Sequence, residues 1–355
     1  MKALILGGTG AMGVHLVNLL AGQASRVVVT SRSRAGHDGI VEYITGNSRN
    51  EEFVKDLLKQ DWDVIVDFMV YSTQAFQDRY KYLLDATGHY IYLSSSRVYA
   101  NSEQPITENS PRLLDITNDK AYLATDEYAL SKARQENLLF NAKQKNWTII
   151  RPYITYNNNR LQLGVLEKED WLYRALQRKT IITSSDIQSK RTTLTFGQDV
   201  ARGINAILGQ ASAQSEAFHI TSGTTISWSE VLETYMAVLE AHLKRRPTVA
   251  VQEMDRFMQW NSGKYQIIYD RLFNRQFDNT KIDRYIDTSS FLTPHIGLAQ
   301  CLENFITLGE PRFNALNWKA EGIKDRMLGE RTSIATIPGL KQKAKYCLFR
   351  YSPLA

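Results

Sequence analysis

Residues 125–139 read TDEYALSKARQENLL, and within them a phenol and a primary amine, Tyr128 and Lys132, stand four positions apart. On a helix that spacing puts both side chains on one face. A free phenol ionises near pH ~10 and is a poor acid–base catalyst at neutrality, and moving one to ~7 takes about 4 kcal/mol. An ammonium ~4 Å away, at an effective dielectric of ~20, supplies about that much. A hydroxyl close by would orient the oxygen that exchanges the proton. The stretch YLSSSRVY (92–99) offers three candidates, Ser94, Ser95 and Ser96. A Y-x-x-x-K match also recurs by chance as a plain surface pair. The elements around it therefore decide its meaning.

The chain opens with a short apolar run, ALIL (3–6), which reads as a buried strand. GGTGAMG (7–13) follows, then the helical pattern Val14, Leu16, Val17, Leu19, Leu20, then a second strand, RVVVTS, from Arg26. Gly7, Gly10 and Gly13 thus punctuate a strand–turn–helix. Such a turn lets backbone approach a pyrophosphate, whose charge meets the amides and dipole at the helix N-terminus. Thr9, Ala11 and Met12 share the turn and join the expected cofactor contacts. A site preferring NAD usually carries Asp or Glu at the end of the second strand. Here the sequence is TSRSRAGH, with no carboxylate before Asp38. Ser31, Arg32 and Arg34 stand where a 2′-phosphate would lie, and guanidinium matches phosphate in a bidentate fork. This favours NADP(H) over NAD(H).

The α/β rhythm continues. IVEYITG (40–46) reads as strand three with Asn47 at its end, EEFVKDLLKQ as a helix, and DVIVDFMVY (63–71) as strand four, whose Phe68 and Met69 should pass the nicotinamide side. One short helix, TQAFQDRYKYLLDAT, precedes strand five, HYIYLSSSRVY (89–99). The alternation implies an α/β, Rossmann-type, doubly wound parallel sheet. Ligands of such sheets sit beyond the strands' carboxyl ends, which places the serines on the functional edge. In the helix that carries Tyr128 and Lys132, the inward positions are Leu130, Ala133, Leu138 and Leu139.

GGTGAMG, YLSSSRVY, YALSK, IIRPYITY and TFGQDVA occur in one order along the first two hundred residues. In these pieces the chain resembles the extended short-chain dehydrogenases/reductases, the branch holding nucleotide-sugar epimerases, dehydratases and reductases. AFHITSGTTISWSEVL and FDNTKI resemble that family's C-terminal half more loosely. The resemblance implies Ser95 as the catalytic serine, Tyr128 as the acid–base and Lys132 as its partner, also bonded to the nicotinamide ribose. It implies that Pro152 to Ile154 border the nicotinamide carboxamide. Ser95, Ser96, Arg97, Asn157 and Arg191 become the expected substrate contacts, Arg191 as a diphosphate ligand. Where family dehydratases carry an Asp-Glu pair, this chain has Ser96 and Arg97, which argues against a 4,6-dehydratase. The loop after strand six, YNNN (156–159), also departs from the family. Family members often dimerise through the region after strand four; it is short here, so the resemblance does not imply a dimer and a homodimer stays an open assembly.

The implied organisation is a dinucleotide-binding domain over 1–155, with 192–210 returning to it, and a smaller, discontinuous, mixed substrate domain over 156–355. KEDWLYRALQRKTI, GQDVARGINAILG and SWSEVLETYMAVLEAH read as helices; TTLTF and AFHITSG read as strands, with His219 a structural histidine. YDRLFNRQFDNTKIDRYI (269–286) either lines the nucleotide end of a cleft or is an amphipathic surface. Net charge is +6 and the pI about 9.1, with much of the excess in KQKAKYCLFRYSPLA, read as a solvated tail. Such a charge suits nucleic acid, and equally suits dinucleotides and nucleotide sugars. Glycines interrupt the N-terminal apolar run, no uninterrupted run would span a bilayer, and two cysteines fit a reducing cytosol. No His, Cys and Asp cluster has metal-ligand spacing, so no metal is expected. The leading expectation is a reductase acting on a nucleotide-activated sugar or polyol precursor in the cytoplasm, with no membrane partner. An epimerase with retained cofactor is the alternative. A non-catalytic RNA-binding or regulatory protein on the same fold is the second alternative, disfavoured because a pure binder has no use for Ser95, Tyr128 and Lys132 together.

Overall fold

The computed structural model describes residues 1–309, 313–314 and 316–352. They form two compact units: Met1–Asn157, Thr193–Thr225 and Arg275–Pro294 in the first, and Asn158–Thr192, Ile226–Asn274 and His295 onward in the second.

The first unit is built on an eight-stranded sheet. In chain order its elements begin β1 (Lys2–Leu6), α1 (Gly13–Ala21), β2 (Arg26–Ser31), β3 (Gly36–Asp38), β4 (Val41–Thr45), α2 (Glu51–Leu57) and β5 (Trp62–Asp67). They continue with α3 (Thr73–Gln77), α4 (Tyr80–Asp85), β6 (Thr87–Leu93), α5 (Leu113–Ile116), α6 (Lys120–Leu123), α7 (Tyr128–Phe140) and β7 (Trp147–Pro152). The last strand is Glu216–Ile220, and the spatial order is Glu216–Ile220, β7, β6, β5, β1, β2, β4, β3. Neighbours pair parallel except β3, which runs antiparallel along the edge of β4. The chain steps outward from β1 to β2 and β4, then returns to lay β5 on the other side of β1. That reversal is the switch point beside which Rossmann-type sheets hold ligands.

The inner strands read as continuous apolar runs because both sheet faces are covered. Ala3, Ile5, Val27, Val29, Val64 and Val66 bury against Leu16, Val17 and Leu20 of α1 and Val200, Ile204 and Ile207 of the helix Gly197–Ile207. Leu4, Leu6, Val28, Ile65, Tyr90 and Tyr92 bury on the other face with Val54, Leu83, Leu84 and Leu139. Leu130, Ala133 and Leu139 of α7 are buried, whereas Leu138 is half-buried.

Several expected elements end early. Strand four stops at Asp67, because its carboxylate accepts the Met69 N–H at 2.9 Å and turns the chain. Strand five stops at Leu93, because the Ser95 side chain accepts the Arg97 N–H at 3.2 Å and opens a 3₁₀ turn over Ser96–Val98. The single helix expected after β5 is two, α3 and α4. Arg79 lies at the break, donating to Ala75 O at 2.6 Å and to Ser48 O and Arg49 O at 3.2 Å.

The second unit contains the helix Lys168–Leu176, a parallel strand pair Ile181–Ser184 with Val249–Gln252, and the helix Trp228–Leu243, opened by a Ser227–Glu230 capping box. Arg174 is fully buried and bonds Glu321 at 2.7 Å, Asp325 at 3.0 Å and Glu330 at 2.5 Å. The basic C-terminal stretch is not a solvated tail through residue 351. It forms a helix, Gly339–Tyr351, packed on the helix Trp318–Leu328, with Tyr346 buried and its hydroxyl donating to Asp325 at 2.7 Å; residues 353–355 lie outside the described residues. The stretch 269–286 divides between the units. Arg271 is buried, pairs with Asp270 and donates to Gly164 O at 2.9 Å, and Arg275 is buried and donates to Ala100 O at 2.7 Å and Tyr99 O at 2.9 Å.

Candidate functional site

The glycine turn leads from β1 into α1. Gly7 has φ +74°, a left-handed conformation that a side chain strains, and a Cβ there would lie 2.8 Å from Met69 Sδ. A Cβ on Gly13 would overlap the Gly8 carbonyl at 2.6 Å, so only glycine lets α1 pack this closely on the turn. Gly10 is exposed, with no atom within 4 Å of the place a Cβ would take. Thr9 is exposed and Ala11 and Met12 are half-buried beside it. The α1 N-terminus has no acidic residue in its first turn and no capping side chain at Met12. Its dipole is thus not neutralised locally and favours an anion.

Beyond β2, Ser31 Oγ accepts the Ser33 N–H at 3.3 Å and the Arg34 N–H at 3.1 Å. Arg34 is occupied. Its guanidinium stacks 3.6 Å over the Tyr43 ring and pairs with Asp38 at 3.3 Å. Arg32 is exposed and pairs with no side chain among the described residues. Of the two arginines expected at a 2′-phosphate, Arg32 is therefore the open one. Asn47 is exposed and accepts the Arg49 N–H at 3.1 Å.

The three serines after β6 face different ways. Ser94 donates to Glu136 Oε1 at 2.6 Å. Ser96 is fully buried and donates to Arg151 O at 2.7 Å, which leaves it no face for a ligand and corrects its expected substrate contact. Ser95 is 6% exposed and caps the 3₁₀ turn. Arg97 is half-buried, pairs with Glu127 at 2.6 Å and lies 5.2 Å over the Tyr128 ring. Glu127 in turn caps α7, accepting the Ala129 N–H at 2.8 Å and the Tyr122 hydroxyl at 3.1 Å.

Tyr128 begins α7 and Lys132 follows one turn later. Both line a cleft of about 490 Å³, with Ser131, Tyr71, Arg49 and Arg79 on its walls. Ser95 is not on that lining. Lys132 is 1% exposed and donates to Leu93 O at 2.6 Å. An ammonium has three donors, and among the described residues its other two have no acceptor. Burial pushes the Lys132 amine down to about 8, against the pull of Asp67 and Glu136. Asp67 is buried and bonded to Tyr71 of the cleft wall. It accepts Tyr90 OH at 2.8 Å and Tyr71 OH at 3.3 Å; burial raises its carboxyl, and these bonds and Lys132 oppose the rise. Arg79 stacks 4.3 Å over Tyr71. Sequence reasoning missed Asp67, Tyr71 and Arg79. A lone Asp closing an apolar strand was the one available signal.

Phe68 and Met69 flank the glycine turn, Phe68 N–H donating to Leu6 O at 3.0 Å. Pro152 closes β7, and Ile154 follows with φ +31°. A β-branched residue there is strained by about 1–3 kcal/mol. It is held by Thr195, whose N–H donates to Ile154 O at 3.2 Å, and by the pairing of Thr155–Tyr156 with Thr195–Phe196. Asn157 is half-buried in the first unit. Arg191 belongs to the second unit, where its guanidinium is 4.0 Å from Glu230. His219 is buried and bonded to Asp278 O at 2.6 Å, a structural placement. Among the described residues, no group of His, Cys, Asp or Glu is arranged to hold a metal ion and no helix is long and apolar enough to cross a membrane.

The family model described as NAD dependent epimerase/dehydratase family matches residues 3–221. A chloroplast stem-loop binding protein of 41 kDa from Arabidopsis thaliana is 26% identical over 239 residues, 62% of this chain and 58% of that protein. The chain thus matches little more than half the length of that relative. The epimerase Mth375 of Methanothermobacter thermautotrophicus superposes with TM-score 0.67 at 18% identity, covering 86% of this chain and 92% of that one. WbmH of Bordetella bronchiseptica, solved with NAD+, gives 0.64 at 17% identity over 87% and 99%. The UDP-glucuronic acid 4-epimerase of Bacillus cereus, solved with UDP-glucuronic acid and NAD, gives 0.64 at 17% over 87% and 99%. At these identities the superpositions establish the fold.

Proposed function

The chain belongs to the NAD dependent epimerase/dehydratase family of enzymes, and from that premise we propose that it is an NADP(H)-dependent oxidoreductase reducing a keto group of a nucleotide-activated sugar or polyol precursor. The observation that carries this reading is Lys132, a buried ammonium with two open donors, on a cleft it shares with Tyr128. Burying a charge without completing its bonds is costly, and ribose hydroxyls would complete them. The open Gly10 turn and the uncapped α1 fit a pyrophosphate. Arg32, open at the end of β2 with no carboxylate beside it, supports NADP(H).

A bound nicotinamide would supply the hydride. Tyr128 gives its proton to the substrate oxygen as the carbonyl becomes a carbinol, Lys132 holds the phenol and the ribose in register, and Ser95 orients the reacting oxygen. The strained Ile154 with Pro152 borders the carboxamide, and Phe68 and Met69 wall the same side. Arg97, already stacked on Tyr128, and Asn157 are the first unit's candidates for substrate contact. We assign the dinucleotide to the first unit and substrate selection to the second. The direct test mixes purified protein with NADPH or NADH and a panel of nucleotide-linked keto sugars. Cofactor oxidation that disappears in Tyr128→Phe supports the reading, and no turnover on any of them overturns it.

Epimerisation is the alternative, favoured by the epimerases solved with NAD among the structural neighbours. It predicts tightly retained cofactor and isomerisation without net redox. RNA binding is favoured by the name of the chloroplast relative and by the basic charge. It predicts a salt-dependent RNA affinity that survives Tyr128→Phe.

A further inference from the structure

The last described segment, residues 331–352, contains Arg331, Lys341, Lys343, Lys345 and Arg350 and neither Asp nor Glu. Five cations and no carboxylate give it +5, on a chain whose net charge is +6. Its helix, Gly339–Tyr351, is fixed by its inner face. A Cβ on Gly322 would lie 2.8 Å from Tyr346 O and 3.2 Å from Arg350 N, so the two helices touch backbone to backbone. Tyr346 accepts the Thr332 N–H at 2.8 Å, and Arg350 donates to Glu330 O at 2.8 Å. The outer face is therefore set. On it Leu340 is 86% exposed, Leu348 54% and Tyr351 57%, and Ala344 is exposed between them. At about 100° per residue these four fall within about 80° of arc. Lys341 and Lys345 flank the arc on one side and Lys343 on the other, while Arg350 is held on the inner side by Glu330 O. Ile334, 45% exposed, precedes the helix.

We propose that this helix is a peripheral docking face for an anionic lipid surface. An apolar stripe bordered by cations on both sides matches an acyl boundary beneath acidic headgroups. Nucleic acid would engage the cations but leave two leucines in water. A second copy would bring one +5 segment against another. The association is in-plane; it needs no membrane-crossing helix.

The test is co-sedimentation of the full chain with vesicles of phosphatidylcholine alone or mixed in equal parts with phosphatidylglycerol. The expected result is pelleting with the mixed vesicles only, reversed by high salt. Leu340→Glu with Leu348→Glu should reduce it at least about tenfold, and Lys341→Gln or Lys345→Gln about fivefold for each cation lost. A measurement without substitution keeps the proposal testable if those variants fold poorly. Amide hydrogen exchange over the helix Gly339–Tyr351 should slow with mixed vesicles and stay unchanged with neutral ones. Equal behaviour with both vesicles, pelleting indifferent to the leucines, or a dimer in solution that Leu340→Glu breaks would each overturn it.

Discussion

Lys132 and Glu136 lie one turn apart on α7, both buried and both charged, and their surroundings could hardly differ more. Glu136 accepts four hydrogen bonds: Arg151 Nε and Nη2 at 2.8 Å, Arg112 Nη1 at 3.1 Å and Ser94 at 2.6 Å. Burial alone would raise its carboxyl, but Arg151, Ser94 and Arg112 together hold it below the ordinary range. Lys132 has one hydrogen-bond acceptor among the described residues, Leu93 O, with the Tyr92 ring 4.6 Å from its Nζ, and burial lowers its amine. The same helix thus carries one charge closed by the fold and one left open toward a cleft. The two arginines after β2 repeat the contrast: Arg34 is closed by Asp38 and Tyr43, and Arg32 is open. A buried charge closed by the fold is costly to break, whereas an open one leaves donors that a ligand would complete under the proposed function.

Substitutions should separate the two kinds. Tyr128→Phe and Lys132→Met should each lower turnover by about 10²–10⁴-fold with no fall in melting temperature; equal losses of folding would erase the contrast. Glu136→Gln should do the opposite, costing about 3–5 kcal/mol in denaturant unfolding, because two arginines lose their buried partner.

Acid unfolding offers a third probe. His89 is 1% exposed; its Nδ1 accepts the Gly209 N–H at 3.1 Å and its Nε2 meets Thr148 Oγ1 at 2.7 Å, which fixes the neutral ring. Burial lowers it from 6.5 to about 4. Between those values the unfolded chain binds the proton and the folded chain does not, so stability falls by up to about 3 kcal/mol as pH drops from 6.5 to 4. His89→Gln should flatten that slope. Lys132 gives the alkaline counterpart. Its folded value of about 8 lies below the ordinary 10.5, so the unfolded chain holds more protons between them and stability rises with pH across that window. Lys132→Met should remove the rise. The smallest effect concerns cofactor choice. Arg32→Ser should weaken NADPH about tenfold relative to NADH, on the scale of one charge-assisted bond, and Arg34→Ser distinctly less, read by titrating both nucleotides.

The sheet was legible because parallel strands covered on both faces leave unbroken apolar runs, and the glycine turn because its spacing follows backbone geometry. Tyr128 and Lys132 were legible from a helical period and indeed share one cleft. Where side chains terminate elements, the sequence was silent. Asp67 cut β5 short and Ser95 cut β6 short through bonds to backbone two residues on, each within the run that reads as strand. Ser96 looked equal to its neighbours, and only the packing against Arg151 O turned it inward. The C-terminal helix was hidden by its lysines, because its anchor is one tyrosine on a buried aspartate far off in sequence.

Calorimetric titration of NADPH into the folded protein and into Lys132→Met tests the central claim most directly. An open Lys132 predicts saturable binding of one dinucleotide per chain, weakened at least about tenfold in the variant while its melting temperature does not fall. Unchanged affinity in Lys132→Met, or a folded wild-type chain that binds neither NADPH nor NADH, would contradict it.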